Sequence, residues 1–184
     1  MKLKVNTMYH VTLKDVAFGL IPKDRLIDVL ASGRICGVLI ESDIASRFDG
    51  VVEGTQGASA DLIDDVLGTI QAKTYHSTNY EGVYRAGTRK GLAKNTSKDI
   101  FTTKSGLWDS MKRRRSLGED VEAQIVEYFD KYDMFCYIDI SKMNELKYSF
   151  AIMSSDVPKK SHVEGRISLM DILENIEEEI VIQN

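Results

Sequence analysis

Two short strand-like runs separated by turn chemistry, Ala60-Asp61-Leu62-Ile63 and Thr69-Ile70-Gln71-Ala72-Lys73-Thr74-Tyr75, commit this chain to a β-hairpin and therefore to a sheet. Asp64, Asp65 and Gly68 supply the turn between them. Side chains alternate across a strand, so Gln71 and Lys73 share one face while Ile70 and Ala72 take the other. Pairing across the hairpin sets Asp61 opposite the polar face. A carboxylate, an amide and an ammonium are then expected to converge.

Such a cluster suits a hard divalent cation. Mg2+ prefers oxygen ligands and keeps several waters, so one carboxylate, an amide oxygen, a backbone carbonyl and substrate phosphate can complete its shell. Asp61, Gln71 and the Ala72 carbonyl fit that description. Lys73, two residues past Gln71, is placed to orient or activate an attacking water, or to neutralise charge building on a phosphate.

Asp61, nine residues, then Gln71-Ala72-Lys73 behind apolar Ile70 resembles the PD-(D/E)XK signature of restriction-endonuclease-like nucleases, in its Gln-x-Lys form. The pairing of GASAD with IQAK is especially similar to Mrr-type and some type II restriction enzymes. The resemblance implies an α/β fold with a restriction-endonuclease-like core, a mixed central sheet flanked by helices. It implies Asp61 and Gln71 as metal ligands, Lys73 as the catalytic lysine and Mg2+ as cofactor. Members of the superfamily often carry a further acid on the helix before the first strand. The stretch Val38 to Phe48 resembles that helix and makes Glu41 the fourth site residue, with Asp43 and Glu53 as alternatives. Ala60 stands where the family often has proline, and Gln71 replaces the commoner carboxylate.

The implied function is a metal-dependent endonuclease that hydrolyses double-stranded DNA, most simply a sequence-specific type II-like restriction enzyme. A nuclease toxin, a repair or structure-specific nuclease, and a nucleic-acid-binding protein without catalysis are the alternatives. A cognate methyltransferase or immunity protein could accompany it.

Other chemistries find less support. Asp139 with Glu145-Leu146-Lys147 repeats the motif residues, but on two apolar runs, Met134 to Ile140 and Leu146 to Met153, that read as core strands. Three histidines and two cysteines show no zinc-site spacing. No glycine-rich phosphate loop occurs.

At 184 residues and 43% hydrophobic, the chain suits one α/β domain, with residues 1–36 as an N-terminal elaboration and 77–118 as a basic insertion. The two cysteines and the absence of a signal-like or membrane-length apolar run point to a cytoplasmic protein with no membrane contact. Net charge is −4, yet the stretch from Val83 to Gly118 holds ten basic residues against two acidic ones. Such segregation is what a phosphate-binding surface on an acidic protein looks like. Its nucleic-acid-binding candidates are Arg85, Arg89, Lys90, Lys94, Lys98, Lys104, Trp108, Lys112, Arg113, Arg114 and Arg115.

Ser116 with Glu119 three residues on reads as a capping box that opens a helix through Val121, Ile125, Tyr128, Phe129 and Tyr132. Ser168 with Asp171 opens a second helix through Ile176, in which Glu177-Glu178-Glu179 forms a solvated face. A chain this small must combine recognition and catalysis in one domain, and a homodimer with one site per strand is the natural assembly.

Overall fold

A computed structural model describes residues 1–13, 22, 25–26, 33–54, 60–75, 100–101, 113–162 and 166–183. In chain order its strands are β1 (Thr7–Thr12), β2 (Val51–Glu53), β3 (Leu62–Asp64), β4 (Gly68–Tyr75), β5 (Ile100–Phe101), β6 (Met134–Asp139), β7 (Lys147–Ser154), β8 (Arg166–Ile167) and β9 (Glu178–Ile182). The helices are α1 (Gly33–Arg47), α2 (Glu122–Phe129), α3 (Asp156–Ser161) and α4 (Leu169–Leu173). Seven strands form one mixed sheet in the order β2-β3-β4-β6-β7-β1-β9, and β5 pairs with β8 separately. The fold is α/β, with helices against both faces of the sheet.

Strand β4 is the hinge of the arrangement, antiparallel to β3 on one side and parallel to β6 on the other. A parallel neighbour needs a crossover, and the chain between β4 and β6 includes α2. From α1 onward the main-sheet elements run helix, three antiparallel strands, helix, and a strand parallel to the third.

The turn before β4 is built locally. The Asp64 carboxylate accepts from the N–H groups of Val66 (2.8 Å) and Leu67 (2.7 Å). Gly68 then adopts φ +81, a conformation that costs any other residue. Asp133, just before β6, accepts from the Thr69 N–H at 2.8 Å and its hydroxyl at 2.7 Å, which pins the starts of β4 and β6 together.

Two cores follow from strand alternation. On one face Ile70, Ala72, Cys136, Ile138, Phe150 and Ile152 pack against Cys36, Ile40 and Ile44 of α1. On the other, Tyr75, Phe135, Tyr137, Ala151 and Met153 pack against Ile125, Tyr128 and Phe129 of α2 and Leu169 and Ile172 of α4. Strands β6 and β7 are apolar almost throughout because both of their faces are covered. Asp43 on α1 accepts from the Tyr148 hydroxyl of β7 and from Arg47 Nε, each at 2.6 Å, a polar clasp between helix and sheet.

The N-terminal segment contributes β1, which lies inside the sheet between β7 and β9. Two features depart from the sequence expectations. The Ser116 capping box does not form: its hydroxyl closes a helical turn at 113–116 by donating to the Arg113 carbonyl, Glu119 pairs with Arg114, and α2 begins at Glu122. Ser168 does cap a helix, accepting from the Asp171 N–H at 3.1 Å, but that helix ends at Leu173 and the glutamate run leads into β9. Hydrogen bonding to β1 outweighs the local helical pattern there.

Candidate functional site

The site lies where β3 and β4 part. Their pairing ends at Leu62 opposite Ile70, extended by one bond from the Asp61 N–H to the Ile70 carbonyl (3.1 Å). Asp61 is then drawn toward the chain leaving β2, its carbonyl accepting from the Gly54 N–H at 2.8 Å. That approach requires a glycine, because a Cβ at position 54 would run into the Ala60 carbonyl. Beyond this point β4 has no strand partner on its β3 side among the described residues, and alternation turns the Ala72 N–H and C=O toward that side.

The Asp61 side chain fills the missing place. Its Oδ2 accepts from the Ala72 N–H at 2.8 Å and also from Gln71 Nε2. The same Gln71 nitrogen lies 3.4 Å from the Ala72 carbonyl. Gln71 is buried, only 4% exposed, so the Gln-x-Lys triplet is not the wet face of a half-covered strand. A carboxylate, a side-chain amide and a backbone carbonyl meet within hydrogen-bonding range.

Lys73 continues along the Gln71 face. Its Nζ stands 5.9 Å from the centroid of the Tyr128 ring on α2, within cation–π reach. Tyr128 and Tyr132 are both nearly enclosed, at 4% and 5% exposure. Burial raises both phenol pKa values, and the negative charge of Asp61 adds to each. Sequence reasoning missed this aromatic wall, since the helical spacing of Tyr128 and Tyr132 marks an apolar face and says nothing of what it covers.

Glu41 lies behind β4, on the α1 side. Its Oε1 reaches back over Gly37, which the Thr74 methyl of β4 also approaches. Burial pushes its carboxyl up to about 7, helped by the charges of Asp61 and Glu53 and opposed by Lys73. Among the described residues no hydrogen bond joins it to Asp61 or Gln71, so it meets the cluster through its field. Of the alternatives, Asp43 is held in the clasp with Arg47 and Tyr148, while Glu53 at the end of β2 adds its charge to that of Asp61.

Among the described residues no three His, Cys, Asp or Glu side chains gather as a metal-holding group. A donor set of one carboxylate, one amide and one carbonyl is nevertheless chemically suited to a hard cation that keeps waters. The amide presents nitrogen to the two oxygens in this structure, and its two ends are nearly the same size, so a half-turn offers its oxygen instead.

The basic candidates are divided. Arg113, Arg114 and Arg115 lie on the helical turn at 113–116, with Arg113 and Arg115 exposed and Arg114 paired to Glu119. Arg85, Arg89, Lys90, Lys94, Lys98, Lys104, Trp108 and Lys112 lie outside the described residues. Among the described residues no helix is long and apolar enough to cross a membrane. No family model, no curated protein and no solved structure matches the chain.

Proposed function

We propose that the protein is a Mg2+-dependent endonuclease acting on DNA, with its site at Asp61, Gln71, Ala72 and Lys73. The observation that carries this reading is the meeting of the Asp61 carboxylate, the Gln71 amide and the Ala72 carbonyl at the parting of β3 and β4. The element order supports it. A helix, an antiparallel three-strand meander, a helix and a strand parallel to the third is the order of the restriction-endonuclease-like core that the motif resembles.

Asp61, Gln71 and the Ala72 carbonyl would hold the ion, which when bound lowers the pKa of a water and neutralises phosphate charge. Lys73 orients the water and shields the charge gathering on the phosphate, its ammonium within cation–π reach of the Tyr128 ring. Glu41, poised near neutrality, biases the field of the cluster. Residues 113–115 and the basic stretch before them would grip the backbone of the duplex, and a homodimer would bring one site to each strand.

The test is incubation of pure protein with supercoiled and linear DNA in Mg2+, beside Lys73→Ala. Discrete fragments from the wild type alone are expected. A smear that Lys73→Ala abolishes would keep the nuclease and remove sequence specificity. DNA left intact by the wild type would overturn the reading.

A further inference from the structure

A polar row crosses the sheet on the face where Met8, Tyr137 and Ala151 pack beneath α2 and α4. Two residues along each strand from that buried row, alternation sets His10 on β1, Asp139 on β6 and Ser149 on β7 on the same face. In the register His10 lies opposite Ser149, and Ser149 opposite Asp139. Glu179 of β9 stands beside Met8 and reaches along the face to His10. His10, Asp139 and Ser149 are half-buried and Glu179 is exposed, so the row is open to solvent where its buried neighbours are not.

His10 Nδ1 lies 2.9 Å from Ser149 Oγ, and Nε2 of the same ring lies 3.3 Å from Glu179 Oε2. With the ring proton on Nε2, the Ser149 hydroxyl donates to Nδ1 while Nε2–H donates to the Glu179 carboxylate. A hydroxyl then meets a base that a third group orients, the arrangement that activates an alcohol oxygen for attack. Neighbours on this face decide what it can attack. Carboxylates at Asp139 and Glu179 flank the pair and repel a phosphodiester, so the electrophile is uncharged. Lys147, two residues before Ser149 on its face, forms an exposed ion pair with Glu145 that yields at little cost, and its ammonium can then turn to a developing oxyanion. Val181, beside His10 in the register and exposed, offers apolar footing to an acyl chain.

We propose that Ser149 and His10, with Glu179 as positioning residue, hydrolyse small uncharged carboxylic esters at a site that β6 separates from β4 and that is independent of the nuclease reading. The Ser149 oxygen attacks the ester carbonyl carbon and its proton passes to His10 Nδ1. The bond from that carbon to the leaving alcohol breaks, and the alcohol takes the proton from His10. Water then attacks the acyl-Ser149 ester through the same base, the acid leaves, and the proton returns to Ser149.

The test exposes the full chain, without DNA or divalent ions, to an uncharged alkyl fluorophosphonate, whose phosphorus Ser149 attacks with loss of fluoride. Mass spectrometry maps the adduct, and hydrolysis of p-nitrophenyl acetate is followed in parallel. A single adduct on Ser149 is expected, absent after heat unfolding and accompanied by loss of ester hydrolysis. His10→Gln should label at least about 100-fold more slowly, the contribution of a general base. Glu179→Gln should also label more slowly. The acid limb of its rate–pH curve should move to lower pH, because the imidazolium loses one carboxylate while Asp139 and Lys147 stay in place. An unmoved curve would remove Glu179 from the site. An unlabelled wild type, an adduct on another residue, or equal labelling of folded and unfolded chains would overturn the proposal. Labelling of His10→Gln at the wild-type rate would do the same, and would leave the three side chains as a tie between strands.

Discussion

Asp61 serves both the fold and the proposed chemistry, because the same Oδ2 that closes the gap in the sheet faces the Gln71 amide. Asp61→Ala would leave the Ala72 N–H unpaired and the buried Gln71 amide with only the Ala72 carbonyl, at a cost of about 1–3 kcal/mol in urea unfolding, as well as abolishing cleavage. Gln71→Glu should keep cleavage, since a carboxylate is the commoner ligand at that place. Loss of activity with an intact melt would deny Gln71 a ligand role. Glu41 gives a prediction that needs no substrate. It binds its proton near pH 7 when folded and near 4.5 when unfolded. Between those values the folded chain holds the extra proton, so its stability falls as pH rises through the window, and the full penalty is felt above it. Asp61, Glu53 and Lys73 are the charges that face it, with burial the larger cause. Glu41→Gln should therefore be more stable than wild type at pH 8 by about 1–2 kcal/mol once solvent screening is allowed for, and equal to it near pH 4. Chemical denaturation at the two pH values decides the matter.

At the scale of elements, the β3–β4 turn depends on Gly68 and on the Asp133 clasp beyond it. A methyl at Gly68 would be strained at φ +81 and would press on the Asp133 carboxylate. Gly68→Ala should lose at least about 1–2 kcal/mol in urea unfolding and weaken the site, because β4 carries both Gln71 and Lys73. A melt unchanged from wild type would contradict this. The hairpin was legible in the sequence because its causes are local: turn residues between alternating strands, with Asp64 and Gly68 doing in the structure what their side chains dictate. Strands β6 and β7 were legible as apolar runs. The ending at β9 was not, since Glu177-Glu178-Glu179 matches a solvated helix face and only pairing with β1, at the opposite end of the sequence, decides for a strand. Ser116 and Glu119 have capping-box spacing, yet their side chains turn back to Arg113 and Arg114. Asp61, Gln71 and Lys73 could be named from spacing. The Tyr128 wall could not, because helical periodicity tells which residues face inward and not which strand lies beneath them.

Taken as a whole, the molecule is acidic, with its positive charge concentrated between Val83 and Gly118. Replacing Arg113 and Arg115, the exposed pair, by Ala should weaken DNA binding and flatten the slope of log affinity against log salt by about 1 for each phosphate no longer neutralised. An unaltered slope would take the 113–116 turn out of the interface. The placement of β1 also governs how the chain can fold. The β3–β4 hairpin closes over a handful of residues and can form as soon as they emerge from a ribosome, whereas β1 pairs only with β7 and β9, which are made far later. Strand β1, made before both of its partners, is thus covered on both edges only once β9 has followed. Until then Tyr9 and Val11, wholly buried in the finished sheet, stand open to other nascent chains, and the interval before β9 is made is where this chain is most exposed to misassociation.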